Sequence, residues 1–457
     1  MRLRRLFLAL TVLPVLALPL GGSASAATEA ETIERALELL SPAPNTRRAA
    51  LAYFSQRGKK DAIPALIQAF RFAPHDRKAF VEAMRKLAGE DIGERWFDWM
   101  LWQEAQEQLK PFDGFDEFKA RVMALIDPNF ELFLYPGVAH EIRLEEITWG
   151  GVRKDGIPAL TNPKLVTPTQ ARYLTNDELV FGVSINGDAR AYPLRILDWH
   201  EMFNDVIGGV PVSLAYCTLC GSGILFETTA KGRDKPFVFG SSGFLYRSNK
   251  LMYDTETNSL WNQFTGRPVV GKLTGAGIEL KTRPVVITRW SDWLARHPKT
   301  RVLSLDTGHE RDYRPGRPYG SYFASPNLMF PTRVDQSKLK AKDYVFALRG
   351  SGTDKAWPLS LFAKQKVIND TAGALAITLV GDAATRTVRA YRTEGQTFGP
   401  ADSADALMLD GTRWQVTEDA LVSPEGRKLH RLPGHIAYWF AWSGYLGKSG
   451  ELATATN

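Results

Sequence analysis

The chain has 457 residues, with 57 Lys and Arg against 50 Asp and Glu and a formal charge of +7. Arg2, Arg4 and Arg5 carry three of those charges, and without them the remainder is near +4. So mild a balance, with no dense Lys/Arg patch and no basic helix, gives no footing for nucleic-acid binding. The length allows roughly two to four domains.

The first 26 residues read as an export signal. Arg2, Arg4 and Arg5 form the charged start, 6–20 the apolar stretch, and Ala24-Ser25-Ala26 a small-residue cleavage site. Arg4-Arg5 before Leu-Phe-Leu also resembles a twin-arginine signal. The expected location is therefore exported, periplasmic or extracellular. No later stretch approaches the about 18 apolar residues that a membrane span needs.

Residues 27–140 read as an α-helical, HEAT-like segment. The runs 49–54, 62–72, 81–87 and 95–108 carry apolar residues at helical spacing. Pro64 suits a first helical turn, where the missing amide has no helical partner. The cluster Trp96, Phe97, Trp99, Met100 and Trp102 reads as core packed on the next domain. Such helices bind a protein partner or brace a neighbour.

From about residue 141 the texture becomes β-rich, with short β-branched and aromatic runs between Gly, Pro and Asn. Asn186-Gly187 between two such runs predicts a hairpin. A displacement of 165 aligns the segment from Val180 with that from Val345. It matches Gly187 with Gly352, Pro193-Leu194 with Pro358-Leu359, and Asn204-Asp205 with Asn369-Asp370. The predicted class is thus α+β and multidomain: an N-terminal α-helical repeat segment, then a duplicated, mainly β domain. The expected units are 141–310 and 311–447, packed face to face, with 448–457 as a tail. Under the same displacement Cys217, Cys220, His200 and Glu201 become Asp382, Thr385, Gln365 and Lys366. These four are extras that the β unit folds without.

Cys217 and Cys220 are the only cysteines, and three readings compete for them. A structural disulfide suits an exported protein. It would close a loop of only four residues, worth about 2 kcal/mol by chain entropy. A dithiol redox centre has this spacing, but Gly221-Ser222-Gly223 follows rather than the helix that stabilises a thiolate. A metal knuckle needs further ligands, because two thiolates do not close a site. His200 is the leading third ligand, with copper or zinc as the metal, and Met252 would suit copper. Glu201, His297, His309, Tyr246, Asn249, Asp254 and Gln263 complete the candidates. The expected geometry brings His200 to both sulfurs, at a cleft or at the junction of the units. There is no G-x-S-x-G, no H-E-x-x-H and no phosphate loop.

Several long motifs occur in one order: GGVRKDGIPAL (150–160), ILDWHEMFND (196–205), YCTLCGSGILFE (216–227), the stretch 239–266 and RHPKTRVLS (296–304). Together they resemble domain-of-unknown-function family 3179 over roughly 140–447. In this chain Thr218 stands where that family's cysteine motif carries a proline. The resemblance implies domain limits and motif choice but no activity, and the small-molecule substrate stays unknown. Metal binding through Cys217, Cys220 and His200 is the leading expectation. The thiol-disulfide protein and the non-catalytic scaffold with a structural disulfide are its alternatives.

Overall fold

The structure, a computed structural model, describes residues 21–350, 354–446 and 450–453. The charged start and apolar stretch of the expected export signal lie outside the described residues. Among the described residues no helix is long and apolar enough to cross a membrane.

Six helices open the chain: α1 (Gly21–Glu38), α2 (Pro44–Arg57), α3 (Ile63–Phe70), α4 (Arg77–Ala88), α5 (Trp96–Ala105) and α6 (Phe115–Ala124). Glycines in the left-handed region stop two of them, Gly58 after α2 and Gly89 after α4. Pro64 occupies the first turn of α3, as its missing amide predicts. All eight residues of α3 are buried, so this helix forms the centre of the layer. Trp99, Met100 and Trp102 are also buried, as a packing role requires.

The helices do not form a separate body. Their core runs on into a five-stranded antiparallel sheet of Ile147–Trp149, Phe239–Tyr246, Asn249–Asp254, Leu260–Asn262 and Arg267–Val270. The ring of Phe130 lies 4.4 Å from Phe244, and that of Phe133 lies 5.0 Å from Tyr253. Apolar surface left open by the helices is covered by this sheet.

The first β unit contains two more sheets. In one, Val286–Arg289, Leu179–Ile185 and Asp188–Pro193 are antiparallel neighbours, and Arg301–Leu303 joins Asp188–Pro193 in parallel. Asn186 and Gly187 both have positive φ, as the predicted hairpin needs. Helix α7 (Leu194–His200) follows and leads into the meander Met202–Ile207, Val210–Cys217 and Ser222–Glu227.

The same order recurs later in the chain. His435–Tyr438, Tyr344–Leu348, Lys355–Pro358 and Glu451–Leu452 repeat the first sheet's antiparallel and parallel pairings. The meander recurs as Val367–Ala372, Leu375–Asp382 and Thr387–Arg392, each range displaced by 165. Asn204 clasps the backbone of Phe239, accepting from its N–H and donating to its carbonyl, both at 2.9 Å. Asn369 makes the same two bonds to Phe398, at 2.8 and 2.9 Å. Beyond the meander the second unit differs, because its strands continue through Lys428–Leu432 into an eight-stranded sheet.

The two units share a core containing Phe181, Tyr192, Tyr216, Phe346, Trp357 and Ile436. Their contacts are reciprocal: Ser222–Glu227 meets His435–Tyr438, and Thr387–Arg392 meets Val286–Arg289. The segment between the units crosses back over the first. Trp199 donates to the carbonyl of Asp312 at 2.8 Å, and Tyr322 to that of Leu219 at 2.8 Å. The expected tail is partly structured, because Glu451–Leu452 pairs in parallel with Lys355–Ala356. That pairing satisfies a strand edge that would otherwise be open.

Candidate functional site

Strand Val210–Cys217 ends in a single tight turn, Thr218–Cys220, closed by Gly221 at φ 59°. Ser222–Glu227 then returns alongside it. Cys217 and Cys220 form a disulfide with a Cα–Cα distance of 5.2 Å. Both are buried, at 3% and 0% exposure, among Met202, Ile224, Phe226 and Trp261. The sulfur of Cys220 lies 3.4 Å from the carbonyl oxygen of Ser248. A Cβ at Gly221 would lie 2.9 Å from the ring of Tyr344 and 3.2 Å from that of Tyr438. Glycine here serves both the positive φ and the close approach of the second unit.

The matching turn of the second unit, Ala383–Thr385 closed by Arg386 at φ 55°, forms without cysteines. Asp382 caps it by accepting from the N–H of Ala384 at 2.8 Å. A local hydrogen bond there does what the disulfide does in the first unit.

His200 does not complete a metal site with the sulfurs. Its Nδ1 lies 2.8 Å from the carbonyl oxygen of Pro158, and its Nε2 lies 2.6 Å from the hydroxyl of Tyr313. Both nitrogens are thus engaged, and the ring is fully buried. Burial pushes its pKa down to about 4, with His309 and Arg311 nearby adding to the effect. Among the described residues no group of three or more His, Cys, Asp or Glu is placed to hold a metal ion. The expected convergence of Cys217, Cys220 and His200 is corrected accordingly: each sulfur is bound to the other, and the imidazole faces a different segment.

The remaining candidates scatter. Glu201 follows α7 at φ 53° and pairs with Lys250, Oε2 to Nζ, at 2.6 Å in a buried setting. Met252 is fully buried in the core beside the disulfide. Asp254 accepts from the N–H groups of Glu256 and Thr257 and from Trp261 Nε1, which makes it the organiser of a turn. Gln263 ties the carbonyls of Ala215 and Ser222 together, at 2.8 and 2.9 Å. Asn249 donates to the carbonyls of Arg247 and Ala441. Tyr246 leans on Glu146, and burial holds its phenol above the usual range. His297 packs against Trp293, with ring centroids 4.1 Å apart and the planes tilted by 40°. His309 lies against His200, at 5.3 Å between centroids.

The strand that leads into the turn borders a cleft. Tyr216, next to Cys217, opens into a cavity of about 530 Å³ between the units, together with Arg195 and Asp198 of α7. Tyr344, Tyr438 and Arg386 face them from the second unit. Tyr344 and Tyr438 stack with centroids 4.4 Å apart, and the Tyr344 hydroxyl donates to that of Tyr438 at 3.0 Å. Arg386 Nη1 donates to the Tyr344 hydroxyl at 2.7 Å. Among the described residues no carboxylate lies within ion-pair distance of Arg386, whereas Arg195 pairs with Glu178 at 3.1 Å.

Asp198 is 8% exposed and accepts from the Tyr216 hydroxyl at 3.2 Å. Burial pushes its pKa up to about 7; the Tyr216 bond and Arg386 pull the other way, and Glu201 adds to the rise. Burial likewise holds the phenols of Tyr216 and Tyr438 above their usual range, so both remain donors. The arrangement can therefore present one guanidinium, neutral phenols and a carboxyl close to its titration point to a small ligand.

Sequence reasoning passed over Asp198, Tyr216, Arg386, Tyr344 and Tyr438. A usable signal existed: the displacement of 165 maps Gly221 onto Arg386 and Tyr216 onto Gly381. At both of these positions the two units differ, although Pro193 and Leu194, which also line the cleft, recur as Pro358 and Leu359.

Fold and cleft together define a class: a disulfide-bearing, mainly β protein with N-terminal helices and a cavity of about 530 Å³ beside the strand that leads into the disulfide. A family described as protein of unknown function, DUF3179, matches residues 154–449, and the chain belongs to that family. No curated protein and no solved structure matches.

Proposed function

We propose that the protein is an exported binding protein for a small oxyanion, held in the cleft between two copies of one β unit. The observation that carries this reading is Arg386, a cleft-facing guanidinium with no carboxylate partner among the described residues, linked only to Tyr344. A guanidinium that is not neutralised by its own protein is the usual recognition group for carboxylate or phosphate oxygens. The cavity volume lies in the range of small-molecule sites. The recurring meander and the matched clasps of Asn204 and Asn369 support descent of both units from one. In this reading the disulfide is structural, the helices brace the first unit, and export rests on residues 1–26 and on the oxidising compartment a disulfide requires.

The test is calorimetric titration with acetate, phosphate and sulfate, for the wild type and for Arg386→Gln. The wild type should bind at least one of them, and the variant should bind it at least tenfold more weakly, as loss of a charge-assisted pair dictates. A wild type that binds none, or a variant that binds equally well, overturns the reading.

One observation favours a second reading, thiol-disulfide exchange. The second unit closes the same turn without cysteines, and the Ser248 carbonyl stands ready to accept from a reduced Cys220. Against it, the sulfurs lie in the core, at 3% and 0% exposure. Thiol titration of the native protein under glutathione buffers of graded potential decides: a pair that stays oxidised throughout removes this reading.

A further inference from the structure

The cleft is not uniformly polar. Besides the polar groups, Leu174, Leu179, Leu194, Pro315 and Phe323 line it, and the stacked pair Tyr344 and Tyr438 forms an aromatic face. An inorganic anion would leave most of this surface wet. A ligand with an apolar body would fill it.

The charged groups also constrain the ligand. Arg195 is matched by Glu178, and Glu201 by Lys250. Among the described residues, that leaves Arg386 and Asp198 as the charged groups of the cleft without an ion-pair partner. An anion bound to Arg386 would come near Asp198, which already feels the Arg386 charge. If Asp198 were ionised, the two negative charges would repel. The conflict vanishes if Asp198 is protonated, because its carboxyl then donates a hydrogen bond where its carboxylate would only repel.

We propose that the cleft binds a monocarboxylate with an apolar body, its carboxylate shared between Arg386 and a protonated Asp198, so that binding takes up one proton from solvent. This rests on the anion-binding reading and names its ligand class. The groups facing Asp198 are Tyr216 from the meander, Arg386 from the second unit's turn, Tyr319 from the connecting segment, Arg195 on its own helix and Glu201 just after that helix. The Tyr216 and Tyr319 phenols are both held above the usual range by burial. Neither guanidinium releases a proton in the working range. Glu201 is already committed to Lys250. Asp198, whose carboxyl burial pushes up to about 7, is therefore the group placed to take the proton.

The probe is benzoate, with acetate as the same head group without a body. Affinity for benzoate should exceed that for acetate by at least tenfold, the gain from burying the ring. It should be level below about pH 7 and fall about tenfold per pH unit above it, with close to one proton taken up per benzoate in buffers of different ionisation heat. Asp198→Asn, whose amide still donates, should bind benzoate with no such slope. Benzoate binding no tighter than acetate overturns the proposal, and so does a wild type that takes up no proton above pH 7. The proton count needs only the wild-type protein, so a misfolded variant does not obscure it. Acetate binding that is lost in Arg386→Gln, together with either adverse benzoate result, would sink the ligand class and leave the anion site standing.

Discussion

Reduction of the Cys217–Cys220 bond should cost the first unit little. The bond closes a loop of four residues, and constraining so short a loop in the unfolded chain is worth about 2 kcal/mol. Two features of the folded state work against even that figure. The counterpart turn Ala383–Thr385 keeps the same geometry with only the Asp382 cap. A reduced Cys220 thiol also gains an acceptor, the Ser248 carbonyl 3.4 Å away. The net loss should therefore be about 1–2 kcal/mol, within the range of one hydrogen bond. Urea unfolding followed by tryptophan fluorescence, with and without a phosphine reductant, measures it without removing an atom from the core. Trp261 and Trp293 report the first unit from fully buried positions. A loss above about 4 kcal/mol, or unfolding on reduction, would show that the turn cannot close by itself. The parallel drawn between the two turns would then fail.

Asn204→Ala and Asn369→Ala each leave a backbone N–H and a carbonyl without their partner. Asn204 is buried, so its loss should cost about 2–4 kcal/mol by urea midpoint, whereas exposed Asn369 should cost about 1 kcal/mol because water replaces it. Equal costs would argue that burial does not govern the clasp. Lys119 of α6 is fully buried, donating to Gln68 Oε1 at 2.8 Å and to the Ile147 carbonyl, and burial pushes its pKa from an ordinary 10.5 down to about 7. Between these values the unfolded chain holds more protons than the folded one, so stability should rise with pH across the window. The rise is up to about 5 kcal/mol, and Lys119→Met should flatten it. A wild type whose urea midpoint does not move between about pH 7 and pH 10 contradicts this.

The features best written in the sequence were those with a local physical cause. Apolar spacing gave the helices, Pro64 gave the start of α3, and Asn186-Gly187 gave a hairpin with two positive φ values. The displacement of 165 pairs Asn204 with Asn369, and the two make the same clasp to the backbone of Phe239 and Phe398. The cysteine turn was legible as well. The ligand set around it was not. His200 is seventeen residues before Cys217, close in the chain, but its ring is aimed by Pro158 and by Tyr313 on the crossing segment. Neither neighbour has a pattern that points to it. Sequence separation says where a side chain begins, and packing says where it ends.

The cleft extends this point, since it belongs to neither unit alone. Gly221 closes the first unit's turn and admits the Tyr344 and Tyr438 rings; a side chain there would strike them. Arg386 closes the second unit's turn at the equivalent position, and its guanidinium reaches the hydroxyl of the same Tyr344. One backbone position, in the same left-handed conformation, thus supplies space in one unit and charge in the other. A single unit paired with an identical copy could offer two glycines or two arginines, but not one of each. On the reading that the units descend from one, their divergence at this position is what made a one-sided, singly charged cleft. Where the second unit's turn is capped by Asp382, the first unit carries Cys217 at the equivalent position, bonded to Cys220.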